Sequence, residues 1–361
     1  MSELKKTPLN NYYQEVGAKL VDFGGWEMPV QFTSIIEEHK AVREDVGIFD
    51  VSHMGEIDVK GAGCYDYLQN LVTNDITSMT DNKVRYTTVA YENGFTVDDI
   101  LIYKYNDTHY LLVVNASNTD KDFAWFTKQA EGYDVELTNI SASIAQIALQ
   151  GPNYLKVMEN LKVEGELPVK YYTFVPEMKI NGIKCLVSRT GYTGELGLEI
   201  YCAAEDGLAL YNAIMDAGKD VGLLPCGLGA RDSLRFEAGM PLYGHEIDED
   251  ITPMEADLTF AVKLKKEKFN GKEVLAQPRK RVRIGLKLTD RGIARAHDKV
   301  FCNGKEVGYV TTGLPSPSLG VSIADALICT CVENEEDFEI EVRGKRLKAK
   351  KCSYFFVESH R

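Results

Sequence analysis

The sequence has no long hydrophobic run. None of its stretches approaches the roughly 18 consecutive apolar residues that a membrane-spanning helix requires. Its first ten residues, MSELKKTPLN, lack the apolar core of a signal peptide, and they are too short and acidic for a transit peptide. We therefore expect a cytoplasmic protein with no membrane partner.

Positive charge is also in short supply. Lys and Arg number 41 against 54 Asp and Glu, which gives a net charge of −13 at pH 7. A negative surface repels the phosphate backbone, so we expect no nucleic-acid partner. The hydrophobic share of 44% and the charged share of 26% are typical of folded globular chains and exclude collagen-like or disordered ones. With 361 residues the chain is long enough for two or three domains.

Metal-binding and disulfide patterns are missing. The 8 cysteines are scattered without a C-x-x-C pair, and a chain of this length does not need disulfides to fold. We expect reduced, mostly buried thiols. The 6 histidines show no ligand spacing, so we expect no metal and interpret each as a surface or hydrogen-bonded residue.

The common catalytic signatures are absent as well. The chain has no phosphate-binding P-loop, no G-x-S-x-G nucleophile motif and no H-E-x-x-H zinc motif. Residues 227–230 begin like a dinucleotide-binding loop, but Asp232 stands where the last glycine should be. Nucleotide-binding, hydrolase and zinc-protease functions therefore lose their main support.

Local patterns predict an α+β fold. Ser34 and Glu37 have capping-box spacing, which predicts a helix that runs to about Glu44 and is ended by Gly47. Helical and alternating apolar patterns then follow each other without the regular order of βαβ units. The predicted strands cover 55–60, 85–91, 97–105, 110–115, 145–150, 178–188 and 198–202, and the predicted helices cover 65–71, 119–129, 154–161, 207–217 and 231–238.

The composition changes near the C-terminus. Beyond residue 281 nearly every segment is strand-like, and Asn303-Gly304 and Arg343-Gly344 mark hairpin turns. This pattern predicts a small all-β domain at 282–361.

Two adjacent carboxylates, Asp98 and Asp99, open an apolar strand. Neighbours on a strand face opposite sides, so Asp99 shares a face with Tyr103 and Asp98 shares one with Ile102. One carboxylate can therefore enter a pocket while the other is capped at the turn. Taken alone, the segment fits a pair of ordinary turn residues better.

Two further segments have unusual chemistry. Residues 188–195, SRTGYTGE, predict a tight turn that presents Tyr192, with Glu199 in the strand that follows. An ordinary hairpin loop explains this segment about as well. Arg231 lies in the first turn of a predicted helix, the unfavourable end of the helix dipole for a cation, so we expect it to have a ligand or a carboxylate partner.

Taken together, the sequence blocks carry a specific resemblance. The blocks are VDFGGWEMP at 21–29, FDVSHMGE at 49–56, VDD at 97–99, QGP at 150–152, SRTGYTGE at 188–195, GLGARD at 227–232 and SPSLG at 316–320. In this order and spacing they resemble the aminomethyltransferase (T protein) family of the glycine cleavage system over essentially the whole chain.

The resemblance implies a fold, a reaction and partners. The fold is a three-part cloverleaf, with a folate-binding region of two intertwined α+β subdomains at 1–275 and a C-terminal β-barrel at 282–361. The reaction moves the methylene carbon of an aminomethyl-lipoyl H protein to tetrahydrofolate, releasing ammonia and giving 5,10-methylenetetrahydrofolate. The partners are the lipoylated H protein and tetrahydrofolate, and no metal is needed.

The resemblance also implies the site residues. Asp99 falls at the essential carboxylate, near the reacting folate nitrogens, where it stabilises positive charge or accepts a proton. Glu199 falls at the position that accepts hydrogen bonds from the pterin edge. Implied to line the folate channel are Met54, Tyr86, Tyr103, Asn115, Tyr171, Tyr172, Tyr192, Arg231, Phe260 and Arg295.

Two other functions of the same fold stay open. One is a folate-dependent demethylase that acts on a small methylated substrate. The other is a non-catalytic folate-binding protein that assists iron-sulfur cluster assembly. Such proteins resemble one another around a K-G-C-Y motif, whereas the corresponding residues 268–273 here, KFNGKE, contain no cysteine.

Overall fold

The computed structural model describes residues 3–360, so the ends of the two predicted regions at residues 1, 2 and 361 lie outside the described residues. The helices are short, and most of them pack against sheets. They are α1 (Asn10–Glu15), α2 (Ile35–Glu44), α3 (Cys64–Leu71), α4 (Thr119–Gln129), α5 (Tyr154–Glu159), α6 (Gly207–Gly218), α7 (Leu228–Glu237) and α8 (Lys272–Leu275).

Strands outnumber helices in the described chain. They are β1 (Lys19–Phe23), β2 (Trp26–Gln31), β3 (Val46–Asp50), β4 (Gly55–Lys60), β5 (Lys83–Ala90), β6 (Thr96–Asn106), β7 (His109–Val114), β8 (Glu136–Asn139), β9 (Ile144–Gln150), β10 (Val163–Glu164), β11 (Phe174–Ile180), β12 (Ile183–Ser188), β13 (Gly197–Ala203), β14 (Leu223–Pro225), β15 (Arg281–Leu288), β16 (Lys299–Cys302), β17 (Lys305–Pro315), β18 (Ser322–Cys329), β19 (Asp337–Val342) and β20 (Lys345–Cys352).

Before the barrel strands, the described chain forms two large sheets and a two-stranded sheet of β1 and β2. A 5-stranded antiparallel sheet has the order β5-β6-β7-β4-β8, and a 7-stranded sheet has the order β10-β11-β12-β13-β9-β3-β14. Only the β3–β14 pair of the larger sheet is parallel. The larger sheet takes β3 from before the smaller sheet in the chain and its other strands from after it, so the two sheets interleave in sequence.

Each sheet buries one face under helices and turns the other toward its neighbour. On β4, Ile57 and Val59 belong to the core beneath α3 and α4. The larger sheet has its own core beneath α5 and α6, which includes Ile147 and Ile200. A third apolar cluster, which contains Tyr103 and Tyr201, lies where the two sheets face each other. The site described below lies at this junction.

The C-terminal strands close into a barrel in the order β15-β18-β17-β16-β19-β20, because β15 pairs with both β18 and β20. Alternate residues such as Leu286, Ala324 and Ile340 fill its interior. The predicted α+β class with a small C-terminal β-barrel is confirmed. The division of the chain at 275 and 282 stays a prediction.

The predicted start of α2 is confirmed, with Ser34 as its N-cap residue. The backbone N–H of Glu37 donates to Ser34 Oγ at 3.2 Å, and Ser34 Oγ donates to Glu37 Oε2 at 3.0 Å. The predicted role of Gly47 is wrong, because α2 ends at Glu44 and Gly47 lies inside β3. A Cβ at Gly47 would approach a Val42 methyl carbon to 2.4 Å, so this glycine serves close packing.

The expectation of reduced thiols is wrong for one pair, since Cys329 and Cys331 form a disulfide at the end of β18. The other cysteines are free thiols, and among them only Cys352 is partly exposed. In the described part of the chain, no helix is both long enough and apolar enough to cross a membrane.

Candidate active site

A cavity of about 360 Å³ lies at the junction of the two sheets. Strands of both sheets, the start of α7, the segment 239–260 and the C-terminal residues 354–355 surround it. Residues expected from the sequence that line it are Met54, Tyr86, Asp99, Asn115, Tyr172, Tyr192, Glu199, Arg231 and Phe260. This size matches the clefts that hold small organic ligands.

The two adjacent carboxylates of β6 have different environments, as strand alternation predicts. Asp98 is fully buried behind the cavity wall. It accepts hydrogen bonds from the backbone N–H of Asn115 at 3.0 Å, from Asn115 Nδ2 at 2.8 Å and from Asn118 Nδ2 at 2.8 Å. Asp99 lines the cavity. One carboxylate is therefore capped and the other faces the space for a ligand.

Asp99 is held from both sides. Its Oδ2 accepts from the Tyr86 hydroxyl at 2.9 Å, and its Oδ1 accepts from Asn115 Nδ2 at 2.8 Å. Burial, followed by the negative charge of Asp98, raises the pKa of Asp99 to about 7, although the two hydrogen bonds act in the opposite direction. A carboxylate with a pKa near neutrality can both accept and return a proton during a reaction.

A third carboxyl group, that of Asp122 on α4, extends this acidic cluster. Its side chain is fully buried, and Oδ1 accepts from Lys121 Nζ at 3.0 Å. Burial and the neighbouring Asp98 raise its pKa to about 10, so this group is neutral at pH 7. Asp122 therefore contacts Asp98 and extends the acidic cluster behind it.

Glu199 on β13 forms the opposite wall. Its Oε2 accepts a short hydrogen bond from Thr190, and its Oε1 lies 3.4 Å from Gln146 Nε2. Burial raises the pKa of Glu199. Gln146 Nε2 also donates to the Tyr201 hydroxyl at 3.0 Å, whereas the buried Gln146 Oε1 has no hydrogen-bond partner. Glu199 and Gln146 therefore offer acceptors for the N–H groups of a ligand.

Arg231 supplies positive charge to the cavity. Its guanidinium carbon lies 4.6 Å from the centroid of the Tyr192 ring, and the Tyr192 hydroxyl donates to the carbonyl of Pro241. Burial, and then the charge of Arg231, lowers the pKa of His53 to about 3. His53 is consequently neutral, and its buried Nδ1 has no hydrogen-bond partner. The contact formed by Arg231 is thus an aromatic ring and not the carboxylate that the sequence offered as one alternative, and the other alternative, a ligand, stays a prediction.

Exposed aromatic rings form the mouth of the cavity. Phe260 is 59% exposed and stacks on Tyr86 with ring centroids 5.6 Å apart. Phe355 is 54% exposed, and beside it Tyr354 lies over the guanidinium of Arg283 at 4.3 Å. Such a rim can cover a flat ligand or a partner's arm that enters the cavity.

Three residues implied by the resemblance do not line the cavity. Tyr103 lies one layer deeper, where its hydroxyl is 2.9 Å from that of Tyr201. Tyr171 packs on the ring of Tyr172 at 4.3 Å, outside the wall. Arg295 belongs to the barrel and donates to the carbonyl of Gly313 at 2.9 Å.

Several lining residues had no role assigned from the sequence. His53 and Thr190 lie inside the quoted blocks FDVSHMGE and SRTGYTGE, so the signal was present. Gln146, Tyr243 and His245 lie outside every block and had no signal. Between residues 3 and 360, no group of three or more His, Cys, Asp or Glu side chains is placed to hold a metal ion.

The fold and the cavity define a class of protein. Two interleaved sheets enclose a cavity the size of a small organic ligand, with paired acceptors at one wall, an ionisable carboxylate at the other and aromatic rings at the mouth.

The comparisons with known proteins name the family. The GCVT N-terminal domain model matches residues 9–266, and the glycine cleavage T-protein C-terminal barrel domain model matches 281–358. The aminomethyltransferase of Geobacillus sp. (strain WCH70) is 55% identical over 353 residues, which cover 96% of this chain and 97% of that protein. The aminomethyltransferase of Bacillus subtilis (strain 168) is 50% identical, with coverage of 96% and 97%.

A solved structure agrees with these relatives. The crystal structure of glycine cleavage system aminomethyltransferase T from Bartonella henselae superposes with a TM-score of 0.90 at 31% identity and covers 99% of both chains. The chain therefore belongs to the glycine cleavage T-protein family. The family resemblance read from the sequence is confirmed.

Proposed function

We propose that the protein is the aminomethyltransferase of a glycine cleavage system. It takes the methylene carbon from the aminomethyl-lipoyl arm of H protein, transfers it to tetrahydrofolate and releases ammonia. The observation that carries this proposal is the carboxylate of Asp99, which has a pKa of about 7 and faces a ligand-sized cavity in a chain of this family.

The methylene carbon loses its bonds to nitrogen and to the lipoyl sulfur, and gains bonds to N5 and N10 of tetrahydrofolate. The two N–H protons of the folate end on ammonia and on the lipoyl thiol. The products are ammonia, dihydrolipoyl H protein and 5,10-methylenetetrahydrofolate.

Asp99 is proposed to act on the reacting nitrogens. As a carboxylate it stabilises positive charge that develops on the carbon and nitrogen, and it accepts the N5 proton. Tyr86 and Asn115 fix the two oxygens, so the group need not reorient when the charge appears. This preorganisation is the main contribution of the chain to the chemical step.

The other walls are proposed to bind the folate. Glu199 and the unpartnered Gln146 Oε1 accept from the amino and ring N–H groups of the pterin. The rings of Tyr86, Tyr172 and Tyr192 pack on the flat ring systems. We further propose that residues 1–275 form the folate-binding region and that residues 282–361 form a barrel domain that contributes to the mouth.

The test is an assay of the purified protein with tetrahydrofolate and aminomethyl-loaded H protein. Ammonia and methylenetetrahydrofolate should appear in equal amounts, and neither should form when H protein or folate is left out. If folate binds and no product appears, the demethylase or the non-catalytic folate-binding function replaces this proposal.

A further inference from the structure

A second cavity of about 260 Å³ lies between the same two sheets, away from the folate-sized one. Its floor contains Glu56 of β4, whose side chain is 1% exposed. Both carboxyl oxygens of Glu56 are buried and have no hydrogen-bond partner. A buried carboxyl group without partners is costly, so this one needs a physical reason.

Backbone hydrogen bonding does not supply that reason, because both the N–H and the carbonyl of Glu56 already have partners. Its N–H donates to Ser141 Oγ at 2.9 Å, and its carbonyl accepts from the N–H of Ile140 at 2.9 Å. Asp58, two residues along on the same face of β4, lies 2.6 Å from His109 Nε2 and 2.5 Å from Lys60 Nζ. Asp58 therefore has a lysine partner within the chain, whereas the Glu56 carboxyl group has no hydrogen-bond partner.

The walls around Glu56 are apolar and aromatic. Leu111, Ile140, Ile144 and Leu186 line the cavity, together with the rings of Tyr105 and Tyr201. The Tyr201 hydroxyl does not serve Glu56, since it is bonded to Tyr103 and Gln146. Such walls suit a short hydrocarbon body and can also contact a cation through a ring face.

The rim adds no free positive charge. Lys184 lines the cavity, but its Nζ lies 2.7 Å from Glu177 Oε2, which is also at the rim. The titratable groups that face the cavity are Glu56, Tyr105, Glu177, Lys184, Cys185, Tyr201 and Cys202. The combination of an unpartnered acid, apolar walls and a lysine that is paired with Glu177 favours a ligand that brings its own cation.

We propose that this cavity is a binding site for a small alkylammonium group, with the nitrogen on the Glu56 carboxylate and the carbon chain between Leu111, Ile144 and Tyr201. An ammonium has several N–H donors, so it can satisfy both orphan oxygens with charge-assisted hydrogen bonds. The site uses no residue of the folate cavity, so this proposal stands or falls independently of the proposed function.

The proposal has a proton balance that can be measured. Burial raises the pKa of Glu56 well above its usual range. At any pH where Glu56 of the free site is protonated, each bound alkylammonium displaces one proton into the solvent. Below the pKa of Glu56, affinity should increase about tenfold for each pH unit, because one proton leaves as one cation binds.

The experiment is calorimetric titration of the full-length protein with n-butylammonium chloride. We expect a Kd on the order of 1 mM for one desolvated ion pair with a short apolar chain. The measured heat should change with the ionisation enthalpy of the buffer and report about one released proton per site. The control ligands are butanol, which has the same chain length and no charge, and potassium chloride, which supplies a cation without the carbon chain.

Two variants locate the binding. Glu56→Gln keeps the shape and removes the charge, so binding and proton release should both be lost. Ala203→Leu leaves Glu56 in place but fills the cavity, so it should also abolish binding; circular dichroism checks the fold of both variants. The proposal is overturned if butylammonium does not bind, if Glu56→Gln binds it equally, or if butanol or potassium binds as well as butylammonium does.

Discussion

Replacing Asp99 by Asn tests the proposed chemistry with almost no change in shape. In the wild-type protein, Oδ2 accepts from Tyr86 at 2.9 Å and Oδ1 accepts from Asn115 at 2.8 Å. The new amide can keep its oxygen toward Asn115 and donate from nitrogen to the Tyr86 oxygen, whose hydroxyl can rotate. Both neighbours stay bonded, so we expect the fold and folate affinity to persist.

We expect the substitution to lower the reaction rate but to raise the stability of the folded protein. Loss of a positioned base usually slows a reaction by about 10² to 10⁴, which is roughly 3 to 5 kcal/mol of barrier. The raised pKa has the reverse effect on stability, because ionised Asp99 is costly in the folded protein at high pH. Raising the pKa of Asp99 from 3.8 to about 7 on folding lowers the free energy of unfolding by at most about 4 kcal/mol at pH 8. Asp99→Asn should therefore be slower and at least as stable.

The assay is single-turnover formation of ammonia with saturating tetrahydrofolate and aminomethyl-loaded H protein. The wild-type rate should increase with pH up to about pH 7, where Asp99 becomes ionised, and then level off. The variant should lack this step. Urea unfolding at pH 5 and pH 8 measures the stability of both proteins. The advantage of the variant should be larger at pH 8 than at pH 5, because the penalty for burying Asp99 builds up between the unfolded pKa of 3.8 and the folded pKa of about 7. A variant rate within about threefold of wild type would refute the role of Asp99, since that is less than 1 kcal/mol.

Two other predictions concern buried charge. Glu199→Ala should weaken tetrahydrofolate binding by about tenfold to a hundredfold, because a hydrogen bond to a charged group contributes roughly 1.5 to 3 kcal/mol; unchanged affinity in calorimetry would remove Glu199 from the site. Arg235→Met should cost about 3 to 5 kcal/mol in urea unfolding at pH 7, because it removes the cation 2.7 Å from the fully buried Glu246. Burial acts to raise the pKa of Glu246, yet Arg235 and Arg283 hold it at about 2, so this loss should shrink as pH falls from 4.5 toward 2; a loss independent of pH would contradict the ion-pair explanation.

Local rules predicted the parts of the site that depend on local geometry. The period of 2 along a strand places Asp98 and Asp99 on opposite faces, and the family resemblance implies that Asp99 is the one at the ligand. The same rule also set a limit, because it gives the face of a residue and not its depth. Tyr103 shares the face of Asp99, but four residues along a strand span about 13 Å. It consequently lies beneath the cavity and bonds to Tyr201.

The pKa values and the free hydrogen-bond acceptors of the site depend on contacts that sequence patterns do not encode. Nothing in the sequence marks Asp122, the fourth residue of a predicted helix, as part of the site. It contacts Asp98 only because α4 packs across the start of β6. Gln146 reaches Glu199 from a neighbouring strand, 53 residues earlier in the chain. A buried oxygen without a hydrogen-bond partner, such as Gln146 Oε1, can be recognised only when the positions of all the donors around it are known. The family blocks marked where chemistry lies, and packing determined which polar atoms stay free for it.

Packing also explains why two of those blocks act as one unit. Gln150 of QGP donates to the carbonyls of Thr190 and Leu198 at 3.2 Å and accepts from Thr193 Oγ1 at 3.0 Å. The Gln150 side chain can extend across the turn only because residue 191 is glycine, since a Cβ there would lie 2.0 Å from Gln150 Oε1. Gln150 thereby fixes the turn that places Thr190 on Glu199. The glycine of this block thus serves the close approach of Gln150, and the orientation of Glu199 toward the cavity depends on that approach.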